Sequence, residues 1–246
     1  MEAYQALARV YDKMMDDEER SRWIDTTLAI LKQAGLRPGD DVADLACGTG
    51  AIAIPLAKAG YRVTALDMSE EMLMEAQQQA KGVQIAWICQ DMTNFRLHRP
   101  VKAINCACDG VNYLTDLDQV HTFFRSVHSA LLSGGIFIFD VSTRSKLEAM
   151  DGQLYVLDED EIAYLWRNEL DQQTHVLTMD ITFFLAQEDG LFERLDELHH
   201  QRAHSTEELA AALMDSGFEI TGIYSGLTDR PARENDLRHR YVAVKK

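Results

Sequence analysis

The chain has 246 residues, 46% hydrophobic and 26% charged, and its 24 Lys plus Arg against 40 Asp plus Glu leave a formal net charge of −16. Such values describe a soluble globular chain of one large domain, or of one domain with an insertion. The acidic balance argues against DNA or RNA as partner, since nucleic-acid binders gain affinity by neutralising phosphates with a basic patch. No run approaches about eighteen apolar residues and no basic-then-apolar segment opens the chain, so neither a membrane span nor a secretory signal is expected, and the location expected is cytoplasmic.

Helical periodicity comes first, with Leu7, Val10, Tyr11 and Met14 at spacings of three and four. A second helix follows around Trp23, Leu28, Ile30 and Leu31 and is ended by Gly35, Pro38 and Gly39. Strands and helices then alternate. Asp41–Ala46 reads as a strand, 51–59 a helix, Tyr61–Asp67 a strand, Ser69–Ala80 a helix and 83–88 a strand. Val101–Cys108 is the next strand, Asp116–Leu132 a helix and Gly135–Val141 a strand. Short apolar strands alternating with helices predict an α/β fold, a parallel sheet covered on both faces.

After Asp140 the period changes to two. Segments 162–170, 174–185 and 191–202 alternate, with His175, Leu177, Met179, Ile181 and Phe183 on one face of the second. They predict an antiparallel meander inserted into the α/β domain, so that 1–150 with 205–246 form one domain and 151–204 an inserted lid. A helix from Ser205 or Thr206 to Ser216 follows, then closing strands at 217–224 and 240–244. Residues 151–200 hold thirteen acids and two Arg, most of the net charge; a solvated outer strand face is the ordinary explanation. Cys47, Cys89, Cys106 and Cys108 show neither zinc spacing nor a disulfide framework and read as reduced thiols.

The segment Asp44-Leu45-Ala46-Cys47-Gly48-Thr49-Gly50 lies between a strand and a helix. Glycines there let the backbone approach a ligand where a Cβ would clash, and the helix start offers free N–H groups. Alone the loop is ambiguous, since Gly48-x-Gly50-x-x-Ala53 also satisfies a dinucleotide fingerprint and an NAD-dependent oxidoreductase has to be weighed. The second strand ends in Asp67, placed to accept bonds from ribose hydroxyls. The third leads to Gln90-Asp91-Met92, an acid and an apolar residue suited to the amine and face of an adenine. A dinucleotide domain has no standing need for that third station.

Residues 42–50 resemble motif I of the class I S-adenosylmethionine-dependent methyltransferases. Leu66-Asp67-Met68-Ser69-Glu70-Glu71-Met72-Leu73 resembles their second motif, Gln90-Asp91-Met92 their third, and Leu131-Leu132-Ser133-Gly134-Gly135 the entry to their fifth strand. The opening Tyr4…Val10-Tyr11-Asp12…Trp23 and the stretch Glu197-Leu198-His199-His200-Gln201-Arg202 resemble a bacterial subgroup acting on small molecules. The resemblance implies a Rossmann-like, seven-stranded, mostly parallel sheet whose last strand is antiparallel, with S-adenosyl-L-methionine as cofactor. Ala46 departs from the glycine many members carry there, and Arg20 from a tyrosine frequent in the subgroup.

By that resemblance Asp67 binds the ribose and Asp91 the adenine amine, while the amides of Met68 and Met92 meet the adenine edge. Gly48 and Gly50 follow the methionine part, Ala46 offers a carbonyl to its amino group, and Asp44 orients the loop. Tyr4, Tyr11 and Trp23 belong to helices that close over the cofactor, with core packing as the competing role for Tyr11 and Trp23. Ala107 and Cys108, at the end of the fourth strand, complete the cofactor set. The acceptor is expected beyond them, at Asp109 and Tyr113, with Asn112 third and His199 from the lid; Asp109 and His199 are the candidate bases. Cys106 and Cys108, two apart on a strand, are expected to share a face and pack. His199, His200 and His204 make a poor metal set, because adjacent strand residues point apart. The expected reaction is methyl transfer to a small molecule, an amine slightly favoured by the acidic lid; transfer to RNA or protein is the other alternative.

Overall fold

The computed structural model describes Tyr11, residues 17–187 and residues 189–246. Tyr4, and the Leu7, Val10 and Met14 expected in the first helix, lie outside the described residues. Helix α1 (Asp17–Gln33) carries Asp17, Glu18 and Glu19 in its first turn and Lys32 in its last, matching the positive and negative ends of its backbone dipoles. It buries Trp23, Thr27 and Leu31.

Then come β1 (Asp41–Leu45), α2 (Ala53–Lys58), β2 (Arg62–Asp67), α3 (Glu70–Gln79), β3 (Ile85–Cys89), β4 (Val101–Cys106), α4 (Leu117–Ala130) and β5 (Leu131–Ser142). Caps set the helix starts. The Ser69 hydroxyl accepts from Met72 N, and Asp116 and Gln119 close a reciprocal box at the head of α4. Next are α5 (Arg144–Met150), β6 (Leu154–Asp158), β7 (Ile162–Asp171), β8 (Val176–Ala186), β9 (Phe192–Arg202), α6 (Thr206–Asp215), β10 (Phe218–Ser225) and β11 (Arg238–Lys245).

One sheet has seven strands in the order β10-β11-β5-β4-β1-β2-β3. β1 pairs in parallel with β2 and β4, while β11 is antiparallel to both β5 and β10. The order reverses between β1 and β4, which puts a crevice at the carboxyl ends of those strands. Each face carries its own core. Phe123, Phe124, Phe137, Phe139 and Tyr241 lead one, and Trp23, Leu31, Leu56, Val63 and Ile138 belong to the other.

The second sheet is the antiparallel meander β6-β7-β8-β9. Leu177, Met179, Ile181 and Phe183 are buried on its inner face with Leu147 of α5. Tyr11 and Met150 pack against the same cluster.

Some expectations need correcting. β4 stops at Cys106, because Cys108 and Asp109 turn into the left-handed region with φ of 60° and 56°; the shared strand face expected for Cys106 and Cys108 does not exist. His175, with φ 57°, belongs to the β7–β8 turn and not to the apolar face of β8. β6 and α5 were not expected. β6 is an edge strand with little burial, and α5 is a two-turn helix started by the Thr143 hydroxyl accepting from Lys146 N, so neither imprints a clear period.

Candidate active site

The loop after β1 is strained in a way its residues explain. Ala46, Gly48 and Gly50 all have positive φ, at 50°, 52° and 81°, a region that glycine enters at no steric cost and alanine at a modest one. Cys47 N donates to Leu66 O, which ties the loop to β2. Beneath it Asp44 is buried and accepts from Asn105 Nδ2 at 2.7 Å. Burial pushes the Asp44 carboxyl up to about 7, against the lowering effect of the bonds from Asn105 and the Ala53 backbone.

The two glycines differ in what a side chain would meet. A Cβ at Gly48 would have only Met72 Sδ near it, at 4.0 Å, and Gly48 lines a cavity. A Cβ at Gly50 would stand 3.0 Å from Trp87 Cη2 and 3.1 Å from Ile54 Cδ1. Gly50 is therefore a packing glycine, and of the two only Gly48 lines the cavity.

Asp67, at the end of β2, takes Gly48 N at 2.8 Å on Oδ2 and Ser69 N at 3.0 Å on Oδ1. Burial raises its carboxyl above the ordinary value, opposed by those backbone bonds. Asp91 caps the turn Met92–Asn94, its Oδ1 accepting from Thr93 N and Thr93 Oγ1, and its side chain does not reach the cavity wall.

The cavity encloses about 790 Å³ at the crevice. Of the expected residues Tyr11, Ala46, Gly48, Asp67, Met68, Met92, Ala107, Cys108 and Tyr113 line it. Asp44, Gly50, Trp23, Asp91, Asp109 and His199 do not. Trp23 is 3% exposed in the core behind β1, with the Arg238 guanidinium 5.5 Å from its ring centroid. Lining residues not foreseen include Glu70, Glu71, Gln90, Gly110 and Leu198. Glu70 and Glu71 had a sufficient explanation as first-turn acids of α3, and Leu198 alternates to the opposite side of β9 from the buried Glu197 and His199.

Asp109 is consumed by an ionic cluster. It accepts from Arg238 Nη1 at 2.9 Å and from Ser142 Oγ at 2.7 Å, with Lys146 Nζ 3.7 Å away, and Arg238 also pairs with Asp140. Burial raises the Asp109 carboxyl, but the Arg238 and Lys146 charges outweigh it and hold it well below the usual carboxylate range. Burial and the neighbouring Asp109 keep Asp140 above that range despite Arg238. A carboxylate so stabilised in its ionised form is a weak proton acceptor, so the base expected at Asp109 is not there. Asn112 is fully buried, tying Ser142 and Arg202 backbone groups together, which makes it structural. Tyr113 reaches His199: its hydroxyl is 3.2 Å from Nδ1, and His199 Nε2 is 2.9 Å from Glu197 Oε2. Burial raises the Cys106 and Cys108 thiols well above their ordinary value, as inert thiols require.

Asp67, Glu70 and Glu71 are the charged residues among the described lining, and Lys and Arg are absent from it. Those hydrogen-bond acceptors, with an open wall at Gly48, suit a ligand bearing ribose hydroxyls and positive charge. S-adenosylmethionine, with its sulfonium and ammonium, has both. An open α/β sheet with such a glycine loop and a carboxylate ending the next strand at its switch point fits the class I methyltransferase arrangement.

The comparisons agree with it. The family profile described as a methyltransferase domain matches residues 42–135. A protein of Geobacillus sp. (strain WCH70), which bears the name putative methyltransferase, is 31% identical over 98% of this chain and 99% of its own length. The crystal structure of an S-adenosylmethionine-dependent methyltransferase from Clostridium acetobutylicum ATCC 824 superposes with a TM-score of 0.88 at 29% identity, covering 98% of each chain. A sugar N-methyltransferase from Streptoalloteichus sp ATCC 53650 shares the fold, with a TM-score of 0.76 at 20% identity over 99% of this chain and 93% of that one. The chain belongs to the S-adenosylmethionine-dependent methyltransferases. The dinucleotide alternative for the glycine loop is thereby set aside. No helix among the described residues is long and apolar enough to cross a membrane.

Proposed function

We propose that the enzyme methylates a small-molecule acceptor, an amine, inside the cavity at the switch point. The observation that carries this is the cavity itself. About 790 Å³ falls within the roughly 300–1,000 Å³ of sites that envelop small ligands, with Leu198 of β9 and Tyr11 on its walls. The second sheet then acts as a lid over the acceptor. The carboxylates at the cavity and in the lid, with few cations near them, favour a positively charged amine over an anionic acceptor or RNA. The likeness in fold to a sugar N-methyltransferase points the same way.

S-adenosylmethionine supplies a methyl group already activated on a sulfonium. The protein's part is to bind, orient and exclude water. An ionised carboxylate has about four acceptor sites, so Asp67 can hold both backbone N–H groups and still accept from the ribose hydroxyls. The Met68 and Met92 amides would meet the adenine edge, and Asp91, outside the lining, caps the turn that carries Met92. Gly48 leaves room for the methionine part, and the Ala46 carbonyl, turned by its positive φ, accepts from the amino group. Tyr113 then holds the acceptor nitrogen, and orientation of this kind can remove about 7–11 kcal/mol of barrier at best.

Incubation with methyl-tritiated S-adenosylmethionine and separate panels of small amines, alcohols, RNA and protein tests the proposal. Label in one or more amines is expected. Label confined to RNA or protein would overturn it.

A further inference from the structure

The inner face of the second sheet is mostly apolar but buries four polar residues, Asn168 of β7 and Glu197, His199 and Gln201 of β9. Leu177, Met179, Ile181 and Phe183 of β8 are buried there, yet directly opposite them β9 presents His199 to Met179 and Glu197 to Ile181. Both are 2% exposed. Burying a carboxyl and an imidazole among aliphatic side chains is costly unless each is hydrogen-bonded, and packing alone calls for apolar residues at both positions.

Their bonds have a direction. A carboxylate in its ionised form only accepts, and the relay takes Glu197 in that form, bonded 2.9 Å from a proton-bearing Nε2 of His199. Nδ1 is then a bare acceptor, and the atom 3.2 Å from it is the hydroxyl of Tyr113, a residue on the cavity wall. The line Tyr113–His199–Glu197 runs from the cavity into the closed interior of the sheet. Neither His199 nor Glu197 is on the described cavity wall, and Tyr113 links them to it.

We propose that Tyr113, His199 and Glu197 form a relay that takes the proton from the acceptor ammonium before methyl transfer. This rests on the amine reading above. An ammonium proton passes to Tyr113 Oη as the phenol proton passes to His199 Nδ1, leaving a neutral amine and an imidazolium held by the Glu197 carboxylate. The freed nitrogen lone pair forms the bond to the methyl carbon while the sulfur–carbon pair stays on sulfur. The imidazolium later returns its proton through Tyr113 to solvent. Tyr113 is the catalytic residue, and His199 and Glu197 are positioning residues that set its hydrogen-bond direction and proton affinity.

Two measurements test the relay. Long-range nitrogen–proton NMR of the ¹⁵N-histidine-labelled protein at neutral pH reads the His199 tautomer with no acceptor present. The relay predicts Nε2 protonated and Nδ1 bare; a proton on Nδ1 overturns it. With the panel amine of highest turnover, Tyr113→Phe and Glu197→Gln should each lower kcat by about a hundredfold. In Glu197→Gln, which leaves the cavity wall intact, KM for the amine and affinity for S-adenosylhomocysteine should move less than about threefold, and free imidazole should restore part of the rate to His199→Ala. Unchanged kcat in either variant, or a loss in Glu197→Gln carried by KM or cofactor affinity with wild-type melting, would overturn it. A panel without a methylated amine sinks the acceptor reading alone; the tautomer still decides whether the relay exists.

Discussion

Gly48 and Gly50 are two residues apart in one loop, and replacing each by alanine should produce opposite defects. Both have positive φ, so either alanine costs about 1–2 kcal/mol of backbone strain. At Gly48 nothing is added to that, because the new Cβ has only Met72 Sδ at 4.0 Å. In a chain of this size such a loss lowers Tm by roughly 2–8 °C. At Gly50 the Cβ stands 3.0 Å from Trp87 and 3.1 Å from Ile54, adding about 1–3 kcal/mol of overpacking. Binding should rank the other way. The Gly48→Ala methyl enters the cavity proposed to hold the cofactor, and S-adenosylhomocysteine affinity should fall by at least about tenfold, or 1.4 kcal/mol. Thermal unfolding and isothermal titration of the two variants decide the matter. Gly48→Ala that binds like wild type, or that loses as much stability as Gly50→Ala, would refute the assignment of Gly48 to the ligand.

Further expectations concern the carboxylates and a buried histidine. Asp67→Ala should weaken S-adenosylhomocysteine by one to two orders of magnitude, through loss of charge-assisted bonds worth roughly 1.5–3 kcal/mol; unchanged affinity would mean that the ribose binds elsewhere. Arg238→Ala leaves Asp109 and Asp140 buried without their shared cation and should cost about 3–5 kcal/mol in urea unfolding; a loss under about 1 kcal/mol would show the pair to be solvated. Burial pushes His204 down from 6.5 to about 4. Between these values the unfolded chain binds more protons, so the stability contributed is complete above about pH 6.5 and is lost as pH falls toward 4. From pH 7 to 5 the wild type should lose about 2 kcal/mol more than His204→Gln; equal losses would contradict the shift.

Much of the fold was legible because its elements leave periodic traces. Buried parallel strands such as β1 and β4 are short and mostly apolar, β8 alternates, and Ser205 or Thr206 marks the start of α6. β6 escaped because an exposed edge strand needs no alternation, and α5 because two turns around one buried leucine carry little signal. Gly48 and Asp67 line the cavity where strand ends and loop chemistry, which are local, put them, and Met68 and Met92 where the family resemblance does. What was misjudged depends on distant partners. Asp109 stands where a base was expected, but Arg238, 129 residues away in the chain, neutralises it. Tyr113 and His199 were separate candidates; only folding brings residues 86 apart within hydrogen-bond distance. For Trp23 the core-packing reading is the one the fold takes, because its helix turns it into the core.

The central claim is that the crevice between β1 and β4 binds S-adenosylmethionine. Isothermal titration of the purified chain with S-adenosylhomocysteine and, separately, with NAD tests it most directly. One site of micromolar affinity for S-adenosylhomocysteine and no heat from NAD is the predicted result. Saturable binding of NAD with none of S-adenosylhomocysteine would contradict it.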